Sequence, residues 1–147
     1  MSPTKKKAAE KQIKFQIRGI ELLDFCFIHP KQQIPPQMAF NFDIKLEHKI
    51  PSDNRLIAVV VTVDIREGNN HDKLGSMMAS CVYEVPDIMD YIDKNNNLPK
   101  FPETFLTTIN SITISTVRGI MFSQFRGTFL HNAVLPVVDP KSFVPQT

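Results

Sequence analysis

Apolar and polar residues alternate most cleanly over 37–48, QMAFNFDIKLEH. Met38, Phe40, Phe42, Ile44 and Leu46 share one parity, and Ala39, Asn41, Asp43, Lys45 and Glu47 share the other. A period of two over this length predicts a half-buried antiparallel strand. Residues 55–67, RLIAVVVTVDIRE, are apolar at both parities in the middle. Ile57, Val59, Val61, Val63 and Ile65 form one row, and Leu56, Ala58 and Val60 begin the other. That pattern predicts a central strand. Residues 12–29 alternate through Ile13, Phe15 and Ile17, lose phase across Gly19, and regain it at Phe25 and Phe27. A glycine inside a strand pattern predicts a bulge. Residues 73–85, KLGSMMASCVYEV, read as a fourth strand. The turns PSDN (51–54) and GNNHD (68–72) are short, so a meander is the simplest topology.

From Phe101 the period changes. Phe105, Ile109, Ile112, Thr116, Ile120 and Met121 recur at helical spacing. Pro102 suits the start of a helix and Gly127 the position past its end. The many β-branched residues of 105–117 oppose a helix, but length and end signals outweigh propensity, which predicts a helix at 102–126. Residues 86–100 form a connector with one helical turn at 87–93. The expected fold is α+β: a four-stranded antiparallel meander with one long helix on a face. One helix covers about 10–12 Å, whereas four strands lie about 4.8 Å apart. Part of the row Met38, Phe40, Phe42 is therefore expected to be bare unless a loop, an identical chain or a client covers it. After the helix, residues 126–143, RGTFLHNAVLPVVDPKSF, are apolar without helical spacing, and Pro136 and Pro140 bar a regular helix or central strand. An ordered apolar loop of this length must lie against something.

The chain has 147 residues, 42% hydrophobic and 22% charged, with eleven Phe and no Trp. One domain over 12–147 is the simplest division. Residues 1–11 hold four Lys and one Glu, a charge of +3, so the remainder carries −1 against a total of +2. The tail reads as a solvated terminus rather than a nucleic-acid tether, because three adjacent lysines give only a weak nonspecific attraction. Arg118 and Arg126 could meet phosphates, but the body is slightly acidic and has no basic stripe interleaved with aromatics. Cys26 and Cys81 match no metal or redox spacing and are expected as reduced core thiols. No signal peptide or membrane span is recognised, which places the chain in the cytoplasm. His29, His48, His71 and His131 lie in four separate segments without metal-ligand spacing. Neither a nucleophile elbow nor a phosphate loop is present. The pattern therefore points to no enzyme, no metal and no cofactor.

The segment KFQIRGIELLDFCFIHP at 14–30 resembles the opening strand of the bacterial export chaperone SecB and its SecB-like relatives, through Phe15, Gln16, Ile17, Ile20, Asp24, Phe27 and Pro30. PQMAFNFDI and RLIAVVVTVDI resemble the family's second and third strands. RGTF at 126–129, then LPVVDPKSF at 135–143, resembles its helix end, crossing loop and entry to the last helix. The resemblance implies a tetramer built as a dimer of dimers that holds non-native polypeptides in apolar grooves without ATP. It implies groove-lining roles for Met38, Phe40, Phe42, Phe129, Leu135 and Phe143. The family's clients include export precursors handed to the ATPase SecA, and antitoxins of toxin–antitoxin systems. Its SecA contact uses acidic residues on the sheet's outer face. Here the matching positions are Asp24, Ile28, Leu74 and Ser76, so Asp24 and Leu74 are the docking candidates and SecA docking is expected to be weak. The family's last helix is nearly absent, the sequence ending soon after Phe143, which implies an opened groove or different clients. A structural assembly protein with one fixed partner remains an alternative.

Overall fold

The computed structural model describes residues 12–31, 33, 35, 37–51, 55–69, 71–93 and 100–143. The basic tail at 1–11, most of the PSDN turn and residues 94–99 of the connector lie outside the described residues. Four strands form: β1 (Gln16–Phe27), β2 (Phe40–Lys49), β3 (Leu56–Glu67) and β4 (Lys73–Glu84). A 3-10 turn at Ile88–Tyr91 precedes the helix α1 (Glu103–Phe125), and a second at Pro140–Phe143 is the last described element. The fold is α+β, as expected.

All strand pairs are antiparallel, in the order β1-β4-β3-β2. The meander holds for β2, β3 and β4 but not for β1, which pairs with β4 instead of β2. The cause is connection length. Tight hairpins use loops of about two to five residues, whereas the chain between Phe27 and Phe40 is long enough to cross the end of the sheet. β1 is thereby an edge strand at the far side from β2.

β3 and β4 supply the floor of the core. Ile57, Val59, Val61, Val63 and Ile65 are fully buried, and they face Tyr83, Cys81, Ala79, Met77 and Gly75 across the ladder. α1 packs on these two central strands with Phe105, Ile109, Val117, Met121 and Phe125. Its β-branched and hydroxylic residues cost up to about 0.7 kcal/mol each in helix propensity. Each buried Val, Ile or Phe returns roughly 1.5–3 kcal/mol, so packing wins. The threonines also stop competing with the helix. Thr108, Thr113 and Thr116 donate their hydroxyls to the carbonyls of Thr104, Ile109 and Ile112. Tyr83 places its buried hydroxyl 2.8 Å from Thr113 Oγ1, tying β4 to the helix. Pro102 is the N-cap, and Gly127, at φ +78°, turns the chain out of the helix in the left-handed region that favours glycine. Gly75 is required by close approach: a Cβ there would lie 2.8 Å from the Cys26 carbonyl oxygen and 2.9 Å from Leu130. The apolar segment after α1 therefore crosses back over the start of β4.

Candidate functional site

The residues expected to line a groove are not gathered in one place. Met38, Phe40 and Phe42 are half-buried and pack against the core, so the row on β2 is less bare than its alternation predicts. Phe42 pairs with Ile65, Ile65 with Gly75, and Gly75 with Phe27, one level across the whole sheet. Phe129 stands at the opposite edge from β2. Its ring centroid is 5.8 Å from Phe27 and 6.2 Å from His29, and Phe27 in turn meets Phe125 at 5.3 Å. Phe143 is half-buried against the core beside α1. Leu135 is 1% exposed, a core residue, which corrects its expected groove role. The segment after α1 is held from the helix: Arg118 donates from Nε to the Leu135 carbonyl at 2.8 Å and from Nη2 to that of Pro136 at 2.9 Å.

Among the described residues, a row of bare apolar side chains lies on β1. Its residues paired with the buried row of β4 are Ile17, Ile20, Leu22 and Phe25, and they are 38–52% exposed. They face the same side as the core, yet α1 sits over β3 and β4 and leaves them uncovered. Register shifts after Ile17 and after Leu22 break this strand's ladder. The first is the bulge expected at Gly19; the second had no glycine to signal it. Sequence reasoning saw the apolar residues of β1 but had no means to place the strand at an edge. On α1, Phe122 is 57% exposed.

Where β1 begins, a cavity of about 730 Å³ opens between the strand and the first turns of α1. Ile13, Phe15, Tyr91, Pro102 and Phe105 line it, with Gln12, Thr104 and Thr108 as the polar contribution. Other rings back the lining: Phe15 meets Tyr83 at 5.9 Å and Phe105 at 5.6 Å edge to face, and Phe101 lies tilted against Phe105 at 5.1 Å. Among the described residues no charged one lines it, so its described lining suits uncharged, apolar groups.

The two docking candidates separate. Asp24 is exposed on the outer face of β1, opposite Met78. Leu74 falls at a register shift between the Ile65–Gly75 and Arg66–Lys73 pairs and is 1% exposed within the core. The extra residue re-aims the side chain inward, which corrects its expected outer-face role. Cys81 is in the core, whereas Cys26 is part-buried with Sγ 3.1 Å from Ser76 Oγ, so only one thiol fits the core expectation. Ion pairs on the sheet, Arg66–Asp43 at 2.8 Å, Lys73–Asp64 at 3.2 Å and Arg18–Glu84, tie neighbouring strands. His48, at the end of β2, donates from Nε2 to Oδ1 of Asn110 on α1 at 2.7 Å. Burial pulls its pKa below the usual value, opposed by that hydrogen bond. Burial likewise raises the Tyr83 phenol, opposed by its hydrogen bond to Thr113. Among the described residues no group of His, Cys, Asp or Glu could hold a metal, and no helix is long and apolar enough to cross a membrane.

No protein-family model matches this sequence, and no curated protein matches it. Among solved structures, the chain is similar to a Mycobacterium tuberculosis SecB-like chaperone, Rv1957, solved in complex with a ChAD peptide from the antitoxin HigA1. The match has a TM-score of 0.54 and 10% identity, and covers 84% of this chain and 89% of that one. At that identity the shared property is the fold: a four-stranded antiparallel sheet roofed in part by one long helix, as in a SecB-like chaperone.

Proposed function

We propose that this protein is a holdase chaperone that takes up apolar segments of non-native polypeptides without nucleotide. The observation that carries the proposal is the uncovered apolar row on β1, which starts at Ile17, two residues after Phe15 of the aromatic cavity. Surface of this kind on a monomer marks an interaction site. Burying it returns roughly 25 cal/mol per Å², much of which is lost to ordering a flexible client. Single contacts are then weak, and useful affinity comes from several surfaces engaging one chain.

That arithmetic favours a homo-oligomer, a dimer or tetramer. Part of the β1 row is covered by a second copy, while Met38, Phe40, Phe42, Phe129 and Phe143 contribute half-exposed apolar surface to clients. The likeness to a chaperone solved with an antitoxin peptide supports a dedicated antitoxin-like client as the narrower form of the same function. Handover to SecA is not favoured, because Leu74 is buried and Asp24 stands without it.

Light scattering of a chemically unfolded client diluted into buffer tests the proposal. An equimolar amount of the protein, without ATP, is expected to delay aggregation, and Phe40→Asp is expected to abolish the delay. A client that aggregates on the same time course with and without the wild-type protein overturns the general holdase. If one short apolar peptide is bound while unfolded chains are not, the dedicated form is the correct one.

A further inference from the structure

Residues 135–138 make no backbone–backbone hydrogen bond among the described residues. Pro136 has no N–H to give. Polar anchorage for this stretch comes from the two bonds of Arg118 to the consecutive carbonyls of Leu135 and Pro136. Arg118 forms no ion pair with a carboxylate among the described residues, so its guanidinium is committed to the segment. The side chains around it divide sharply. Leu135 is 1% exposed and Val138 packs against the core, while Val134 is 52% and Val137 93% exposed. Apolar packing does not by itself choose among these four similar residues. A fixed backbone does.

We propose that Arg118 is the positioning residue of the segment after α1: its grip on two carbonyls sets which apolar side chains 134–143 buries and which it presents to the outside. Arginine suits the role because its planar fork reaches two acceptors at once, which a lysine ammonium on a flexible stem does not. The ends of the segment have their own anchors, Leu130 and Ala133 in the core and Phe143 beside α1. Loss of the grip therefore loosens the middle without unfolding the sheet. The effect on clients rests on the holdase proposal; the latch itself does not.

Thiol labelling tests it in the full chain. In a Cys26→Ser parent, Leu135→Cys puts a reporter at the gripped residue, and the native Cys81, 1% exposed in β4, reports global opening. Adding Arg118→Ala is expected to speed labelling of the reporter at least about tenfold, the scale of losing charge-assisted hydrogen bonds, with the Cys81 rate unchanged. Arg118→Lys is expected to fall between Ala and the parent. An unchanged reporter rate, or equal acceleration of both thiols, overturns the latch. Failure of the wild-type protein to hold an unfolded client defeats the holdase alone and leaves the labelling result standing.

Discussion

His48 is the residue whose chemistry is most altered by the fold. It lies on the core-facing side of an edge strand, with its Nε2 bound to a fully buried asparagine whose amide nitrogen has no partner among the described residues. Burial disfavours the imidazolium, so the folded pKa lies below the usual 6.5. The unfolded chain then binds more protons as pH falls through that value. The contribution of His48 to stability is complete above 6.5 and is lost progressively as pH drops toward the folded pKa. Denaturant midpoints at pH 7.5 and 5.5 check this. The wild-type protein is expected to lose more stability on acidification than His48→Gln, which keeps a side-chain N–H donor but cannot titrate. Equal losses in the two proteins assign the pH dependence to other groups. The polar residues at this position were visible in the sequence as a strand end; the pairing of His48 with Asn110 was not, because it depends on how α1 crosses the sheet.

At the scale of elements, the contact between the segment after α1 and the β1–β4 ladder leaves no room at Gly75. Gly75→Ala drives a methyl group against a backbone carbonyl as well as Leu130. The expected cost is about 1–3 kcal/mol, seen as a lowered thermal midpoint. Adding Leu130→Ala is expected not to restore stability, since the Cys26 oxygen remains in the way; full recovery would place the whole conflict in the side chain. The strands and helix were legible to within a few residues because periods of two and of 3.6 are local properties. Their pairing was not. A long connection such as 28–39 does not say on which edge its strand lands, and β1 came to rest beside β4. The bulge at Leu74 was hidden too. The outward placement of Leu74 came from the family resemblance, and the extra residue in β4 turns that side chain into the core.

For the molecule as a whole, the mismatch between helix width and sheet width was readable in advance, but its location was not. Bare area was expected on β2 and is found on β1: α1 favours the central pair, and the apolar row of β2 packs against the core while that of β1 stays exposed. The self-association proposed above has a direct check. Mass in solution is expected to exceed the 16.8 kDa of one chain, and Ile20→Asp is expected to return it to that value with the helical signal intact. A wild-type protein that stays single at tens of micromolar refutes the proposed assembly. The two breaks in the β1 ladder bear on a hazard that any such protein faces. An open sheet margin lined with isoleucine and phenylalanine is a template for runaway fibre growth. Here the surplus residues Arg18 and Leu23 break the β1–β4 ladder into runs of only a few pairs, and such bulges bend and twist an edge strand away from the flat shape an incoming strand needs. The chain can keep its greasy margin open for legitimate company and still resist seeding amyloid.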